Sequence, residues 1–124
     1  MATIKTTSSV QTARVEFREM VQILNAGLGA TLVAAITGNK DLKVSHRWAR
    51  MDGPMPRNDA VQRIVHAYQV WDLVASREGD HVARLWFMGM NPRLDDDTPI
   101  DALREGRPKE AMAAARAFVE DALS

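Results

Sequence analysis

Residues 28–50 read LGATLVAAITGNKDLKVSHRWAR, two short apolar-periodic segments joined by Gly38-Asn39, and the organisation of the rest of the chain follows from them. Leu28, Leu32 and Ile36 mark one face of a short helix. Gly38 and Asn39 end it, because both tolerate the left-handed conformation of a helix C-cap. The next segment, 41–50, carries Val44 and Trp48, with Met51 just beyond it, on one side. Ala34, Gly38 and Val44 fall at offsets 0, +4 and +10. These are the places where a helix-turn-helix needs a small residue for close approach, a turn residue and a buried anchor. In that arrangement Lys43, Ser45, His46, Arg47 and Arg50 line or flank a recognition helix, within reach of phosphates and guanine edges. Lys40 and Arg57 sit at its margins as backbone contacts. A glycine-linked helix pair inside any helical bundle reads the same way, so packing alone stands beside the DNA-binding reading.

Working outward, the N-terminal side offers Phe17, Met20, Val21 and Leu24 at the i, i+3, i+4, i+7 spacing of an amphipathic helix stopped by Gly27 and Gly29. Residues 1–12 are rich in Thr and Ser without apolar periodicity, which predicts a disordered leader. On the C-terminal side, Gly53-Pro54 closes the third segment, and the longest periodic run follows Pro56. There Val61, Ile64, Val65, Tyr68, Trp71 and Ala75 track one stripe up to Gly79, the pattern of a central helix. Asp80 can cap a fifth helix in which Val82, Leu85, Trp86 and Gly89 share a face, and Asn91-Pro92 breaks it. Thr98-Pro99 is an N-cap followed by proline at the first helical position, opening a short helix that ends at Gly106. Pro108 opens the last helix, with Met112, Ala115, Phe118, Val119 and Ala122 on its buried side. No segment alternates as a strand does, so the fold class is all-α.

The 124 residues and 46% hydrophobic content suffice for one compact core. Cysteine is absent, which excludes disulfides, thiolate metal sites and a cysteine nucleophile. No leader with an apolar core and no span long enough for a bilayer is present, so the expected location is the cytoplasm. Net charge is zero, but its distribution is uneven. From Lys40 to His66 six basic residues stand against three acidic ones, and from Asp80 to Ser124 six stand against nine. A basic middle and an acidic end suggest two surfaces with different partners.

Catalytic and metal motifs are not found. His46, His66 and His81 form no zinc-protease spacing, Asp95-Asp96-Asp97 lacks the alternating ligands and final glutamate of a calcium loop, and Gly27-Leu28-Gly29 lacks the third glycine and the strand of a phosphate loop. Ser45 and Ser76 have no activating partner. No metal, no cofactor and no enzyme activity are expected.

Leu32 to Asp41 together with His46-Arg47-Trp48-Ala49, and then Leu85-Trp86-Phe87-Met88-Gly89-Met90-Asn91-Pro92-Arg93-Leu94-Asp95 and Thr98-Pro99-Ile100-Asp101-Ala102-Leu103-Arg104-Glu105-Gly106, resemble the MbcA/ParS/Xre family of antitoxins, partners of RES-domain toxins. The similarity covers roughly residues 15–120. It departs at Asp95–Asp97, where the family usually has a glycine after the turn leucine.

The resemblance implies a small helical bundle with an Xre-like helix-turn-helix over 13–78 and a toxin-binding region over 79–124. It implies a type II antitoxin that binds its RES-domain toxin, blocks an NAD-degrading active site and represses its own operon. Trp86, Met90, Asn91, Pro92, Arg93, Leu94 and Phe118 are then the toxin contacts, Trp86 being equally suited to a core anchor. The tail from Glu120 to Ser124 is another segment that could enter the toxin cleft. Operator DNA is the second partner, and a homo-oligomer or a hetero-oligomeric complex is expected. The alternatives are a stand-alone helix-turn-helix regulator and a purely structural helical module.

Overall fold

The computed structural model describes residues 2–123, with side chains from residue 12 to residue 121. Among the described residues the chain forms seven α-helices and no strand: α1 (Ala2–Leu28), α2 (Ala30–Thr37), α3 (Val44–Ala49), α4 (Asn58–Glu78), α5 (Asp80–Met88), α6 (Pro99–Arg104) and α7 (Pro108–Leu123). A single 3-10 turn, Pro92–Leu94, sits between α5 and α6. The fold is all-α, in agreement with the reading from periodicity. No single described helix is long and apolar enough to cross a membrane.

The central helix is α4, which packs against α1, α2, α5, α6 and α7. Its buried stripe is Ala60, Ile64, Ala67, Val70, Trp71 and Val74. This differs from the expected stripe, whose Val61, Val65, Tyr68 and Ala75 lie half-buried along the border. The difference has a volume cause. The alanines at 60 and 67 let neighbouring helices come close, so the line of closest approach follows the small residues rather than the largest apolar ones. The last helix, α7, is built the same way, with Ala111, Ala114 and Ala115 buried beside Val119. The side chain of Ala122 lies outside those described.

Helices α1 and α2 meet at 119°. Phe17, Val21 and Leu24 are buried along α1, as their spacing requires, with Met20 partly buried; Leu28, expected on the second helix, instead ends α1 and is buried there. The helix begins at Ala2, within the stretch 1–12 expected as a disordered leader; extending a helix already nucleated fixes only one further residue per hydrogen bond. Near its end, a Cβ at Gly27 would collide with the ring of Trp71, so glycine is required there for α1 and α4 to approach.

The orientation of α5 is a second correction. Ala83 and Phe87 face inward, Trp86 is half-buried, and Val82 and Leu85 point outward, Leu85 being 57% exposed. Phe87 decides the rotation: fully buried, its ring lies 5.8 Å from that of Trp71, and burial of a whole aromatic side chain outweighs that of Val82. Gly79, not Asp80, occupies the N-cap position of this helix. The buried residues from Phe17 to Val119 form one cluster, so the regions 13–78 and 79–124 share a core through α4.

Candidate functional site

Two surfaces stand out, one at each end of that core. At the first, Ala34 and Val44 are buried and Gly38 adopts φ 75°, its N–H donating to the Ala35 carbonyl at 3.0 Å. A left-handed residue here lets the chain leave α2 without a side-chain clash. Asn39 Oδ1 then accepts from the Asp41 N–H at 2.9 Å, and Asp41 Oδ1 accepts from the Lys43 N–H at 3.0 Å. These successive side-chain turns compete with helix, so α3 starts at Val44 and is shorter than the segment 41–50 read from the sequence.

A short helix is marginal unless something holds it. The α1 side chains at 18, 22 and 25, one helical face, do so. The buried guanidinium of Arg18, 6% exposed, donates to the carbonyls of Trp48 at 3.0 Å, Arg50 at 2.6 Å and Gly53 at 2.7 Å. Gln22 Nε2 donates to the Ala49 carbonyl at 2.8 Å, and Asn25 Nδ2 to that of Ser45 at 3.1 Å. The buried charge on Arg18 is met by carbonyl dipoles at and just beyond the C-terminal end of α3. The sequence reading missed this clamp, although the i, i+4, i+7 spacing of three polar residues beside the apolar stripe was its signal.

Lys40, Lys43, His46, Arg47, Arg50 and Arg57 are all exposed at this end. Ser45 is not; it is fully buried, and its hydroxyl donates to the Ala30 carbonyl at 3.0 Å, which corrects its assignment as a DNA contact. The reason is register: Ser45 follows Val44 directly and turns toward the α1–α2 corner. Arg47 pairs with Asp41 at 2.7 Å, and that hydrogen bond, reinforced by the Lys43 N–H, holds the Asp41 carboxyl below the usual carboxylate range. Arg50 lies 3.6 Å from Asp52. Exposed pairs of this kind are readily exchanged for another anion.

At the second surface, Trp86, Met90, Asn91, Pro92, Arg93 and Phe118 line one groove of about 300 Å3 between α5, the 3-10 turn and α7. Of the residues singled out as toxin contacts, only Leu94 is elsewhere. It is 0% exposed and belongs to the core, a correction explained by the turn itself, which aims the residue after Arg93 inward as the plug of the loop. Trp86 sits edge-on to Phe87 with centroids 5.3 Å apart and 6.0 Å from Phe118, so it is both anchored and exposed along one side. Met90 is 78% exposed, and Val82, Leu85 and Met88 extend the apolar surface along α5.

The loop beneath the groove is closely bonded. Asn91 Oδ1 accepts from the Arg93 N–H at 2.9 Å, its carbonyl accepts from Leu94 and Asp96, and its own N–H donates to the Asp97 carbonyl at 3.0 Å. Asp95 and Asp96 adopt φ 56° and 66°, the left-handed region, where the resembled family has a glycine. Aspartate is among the few residues that enter it at modest cost. Arg107 ties the loop to α7 by pairing with Asp97, Glu105 and Glu110, and the Glu110 hydrogen bond above all favours its protonated form. Thr98 Oγ1 caps α6 by accepting from the Asp101 N–H at 3.0 Å. No group of three or more His, Asp or Glu side chains able to hold a metal occurs among the described residues. The tail beyond Asp121 lies outside the described side chains.

No protein-family model matches the chain, and no curated protein does. Its backbone is similar to a chain in the crystal structure of the M. tuberculosis MbcT-MbcA toxin-antitoxin complex, with a TM-score of 0.69 and 24% sequence identity, over 84% of this chain and 94% of that one. The likeness is one of fold.

Proposed function

We propose that the chain is an antitoxin whose groove between α5, the Pro92–Leu94 turn and α7 docks onto a toxin and neutralises it. The convergence of Trp86, Met90, Asn91, Pro92, Arg93 and Phe118 on one groove carries this reading. Those residues were singled out from a sequence resemblance, and the similarity of the backbone to a chain of a toxin-antitoxin complex supports the same conclusion independently of any motif. The chemistry fits a protein partner: large apolar side chains held rigidly by aromatic packing, with Arg93 and the Asn91 loop at the rim, are the usual make-up of an interface centre. The toxin we infer is of the RES-domain, NAD-degrading type, and the antitoxin acts by blocking its active site.

Autorepression is the second part of the proposal. The exposed basic side chains Lys43, Arg47 and Arg50 on and around α3, with the exposed His46 among them and clamped from behind by Arg18, support operator binding through the α2–α3 pair.

Co-expression with a RES-domain toxin tests the first part. Growth should be restored and cellular NAD retained. Met90→Asp, a change at an exposed position, should remove that protection while the purified variant keeps its helical circular dichroism. NAD depletion that continues unabated beside the unaltered protein would sink the proposal.

A further inference from the structure

We propose that the cleft between α4 and α7 is a binding site for a small organic anion, a phosphate or carboxylate carried on an apolar body. The cleft is open to solvent and has a volume of about 640 Å3, within the size range of small-molecule sites. Its polar lining is His66, Lys109 and Arg116 with the amide of Gln69, and no carboxylate lines it. Its apolar lining is Val70, Pro108 and Met112. Arg63, Arg104 and Arg107 are paired within the chain, with Asp59, with Asp101, and with Asp97, Glu105 and Glu110 in turn. Lys109, Arg116 and His66 have no carboxylate within 4.0 Å among the described residues.

Their donors match one kind of ligand group. A guanidinium fork, an ammonium, an imidazole N–H present in either protonation state, and an amide NH2 together meet the several acceptor oxygens of a phosphate or carboxylate. Val70, Pro108 and Met112 beside them offer contact to hydrocarbon or to a ring. A nucleic-acid backbone would need a basic track continuing along the surface, and the next exposed groups on these helices include Asp72 and Glu120. The cleft is also separate from the Trp86 groove. On α7, Met112 and Arg116 lie on one flank of the buried stripe Ala111, Ala115 and Val119, and Ala114 and Phe118 lie toward the other.

An NMR titration of the full chain with phenyl phosphate, using inorganic phosphate as comparator, tests the proposal. Saturable shifts should appear at His66 and at the Met112 methyl, with phenyl phosphate binding about tenfold more tightly than inorganic phosphate because the ring is removed from water. Lys109→Ala and Arg116→Ala should each weaken binding several-fold without moving the thermal midpoint, both residues being exposed. Absence of saturable shifts would overturn the proposal. So would equal affinity for inorganic phosphate, shifts that persist in the double variant, or tighter binding of a polyglutamate peptide, which would assign the cleft to an acidic protein segment instead.

Discussion

The turn between α2 and α3 and the loop between α5 and α6 perform the same task, leaving a helix and presenting side chains to solvent, with different materials. The first uses a left-handed glycine, two Asx turns and a polar clamp from α1, with Arg18 donating to three carbonyls. The second uses left-handed aspartates and an aromatic support, the chain of rings from Trp71 through Phe87 and Trp86 to Phe118. A hydrogen-bonded scaffold fixes direction but offers little apolar area, and it leaves a surface of charges. An aromatic scaffold supplies area, and one side of Trp86 is left over as surface. Each surface inherits the chemistry of what holds it, and that difference can be tested by removing the two supports one at a time.

The largest effect is expected at the aromatic support. Phe87 is fully buried between two tryptophans, and Phe87→Ala should cost about 3–5 kcal/mol of stability. Urea denaturation followed by tryptophan fluorescence measures it, since Trp71 and Trp86 both lose their neighbour. A loss under about 1 kcal/mol would mean that the rings are not a support at all.

Arg18→Met comes next. It keeps much of the side-chain length and removes the donors, leaving the carbonyls of Trp48, Arg50 and Gly53 without that partner. A cost of about 3 kcal/mol is expected, because hydrogen bonds from a charged donor contribute more than neutral ones. Hydrogen exchange should separate it from Phe87→Ala, with protection lost mainly in α3 and in the Arg50–Gly53 segment. Uniform loss across α5 and α7 would break the distinction between the two supports.

These two residues also mark where the sequence could and could not be read. Seven helices and their breaks follow from apolar spacing, Gly38, Gly79, Asn91-Pro92 and Thr98-Pro99, because turn chemistry is local. The rotation of α5 does not follow, since periodicity made Val82 and Leu85 as good a face as Ala83 and Phe87. Only Trp71, a tertiary neighbour, breaks that tie. Ser45 and Leu94 were misassigned for the same reason: a residue in a two-turn helix or a one-turn loop has no period long enough to tell inside from outside. Arg18 was overlooked because a buried arginine is sensible only once its three carbonyl acceptors, 30 to 35 residues away, have been brought to it.

If the surfaces are as separable as their supports, exposed substitutions should divide the two proposed activities. Arg47→Ala should weaken operator binding by about 1–3 kcal/mol if Arg47 reads a base, and leave toxin binding unchanged. Leu85→Asp, on the outward face of α5, should do the opposite. Fluorescence anisotropy with operator DNA and isothermal titration with the toxin measure the pair. Both variants losing both activities would show one continuous surface, and neither losing either would remove these residues from function.

The smallest expected effect returns to the turns themselves. Gly38 at φ 75° has open space around it, the nearest atom to an added Cβ being Arg63 Nη1 at 4.0 Å, so Gly38→Asp tests the left-handed conformation without a steric collision. It should cost about 1 kcal/mol, the penalty a side chain incurs in that region. Asp95→Gly is the mirror experiment at φ 56° and relieves the same penalty. The gain should be smaller, below about 1 kcal/mol, because glycine also gives the unfolded chain more conformations to lose and aspartate is already tolerated there. Thermal melts of the two variants should therefore move in opposite directions and by unequal amounts. A fall in midpoint for Asp95→Gly would mean that the carboxylate itself, and not merely the backbone angle, holds the loop beneath the groove.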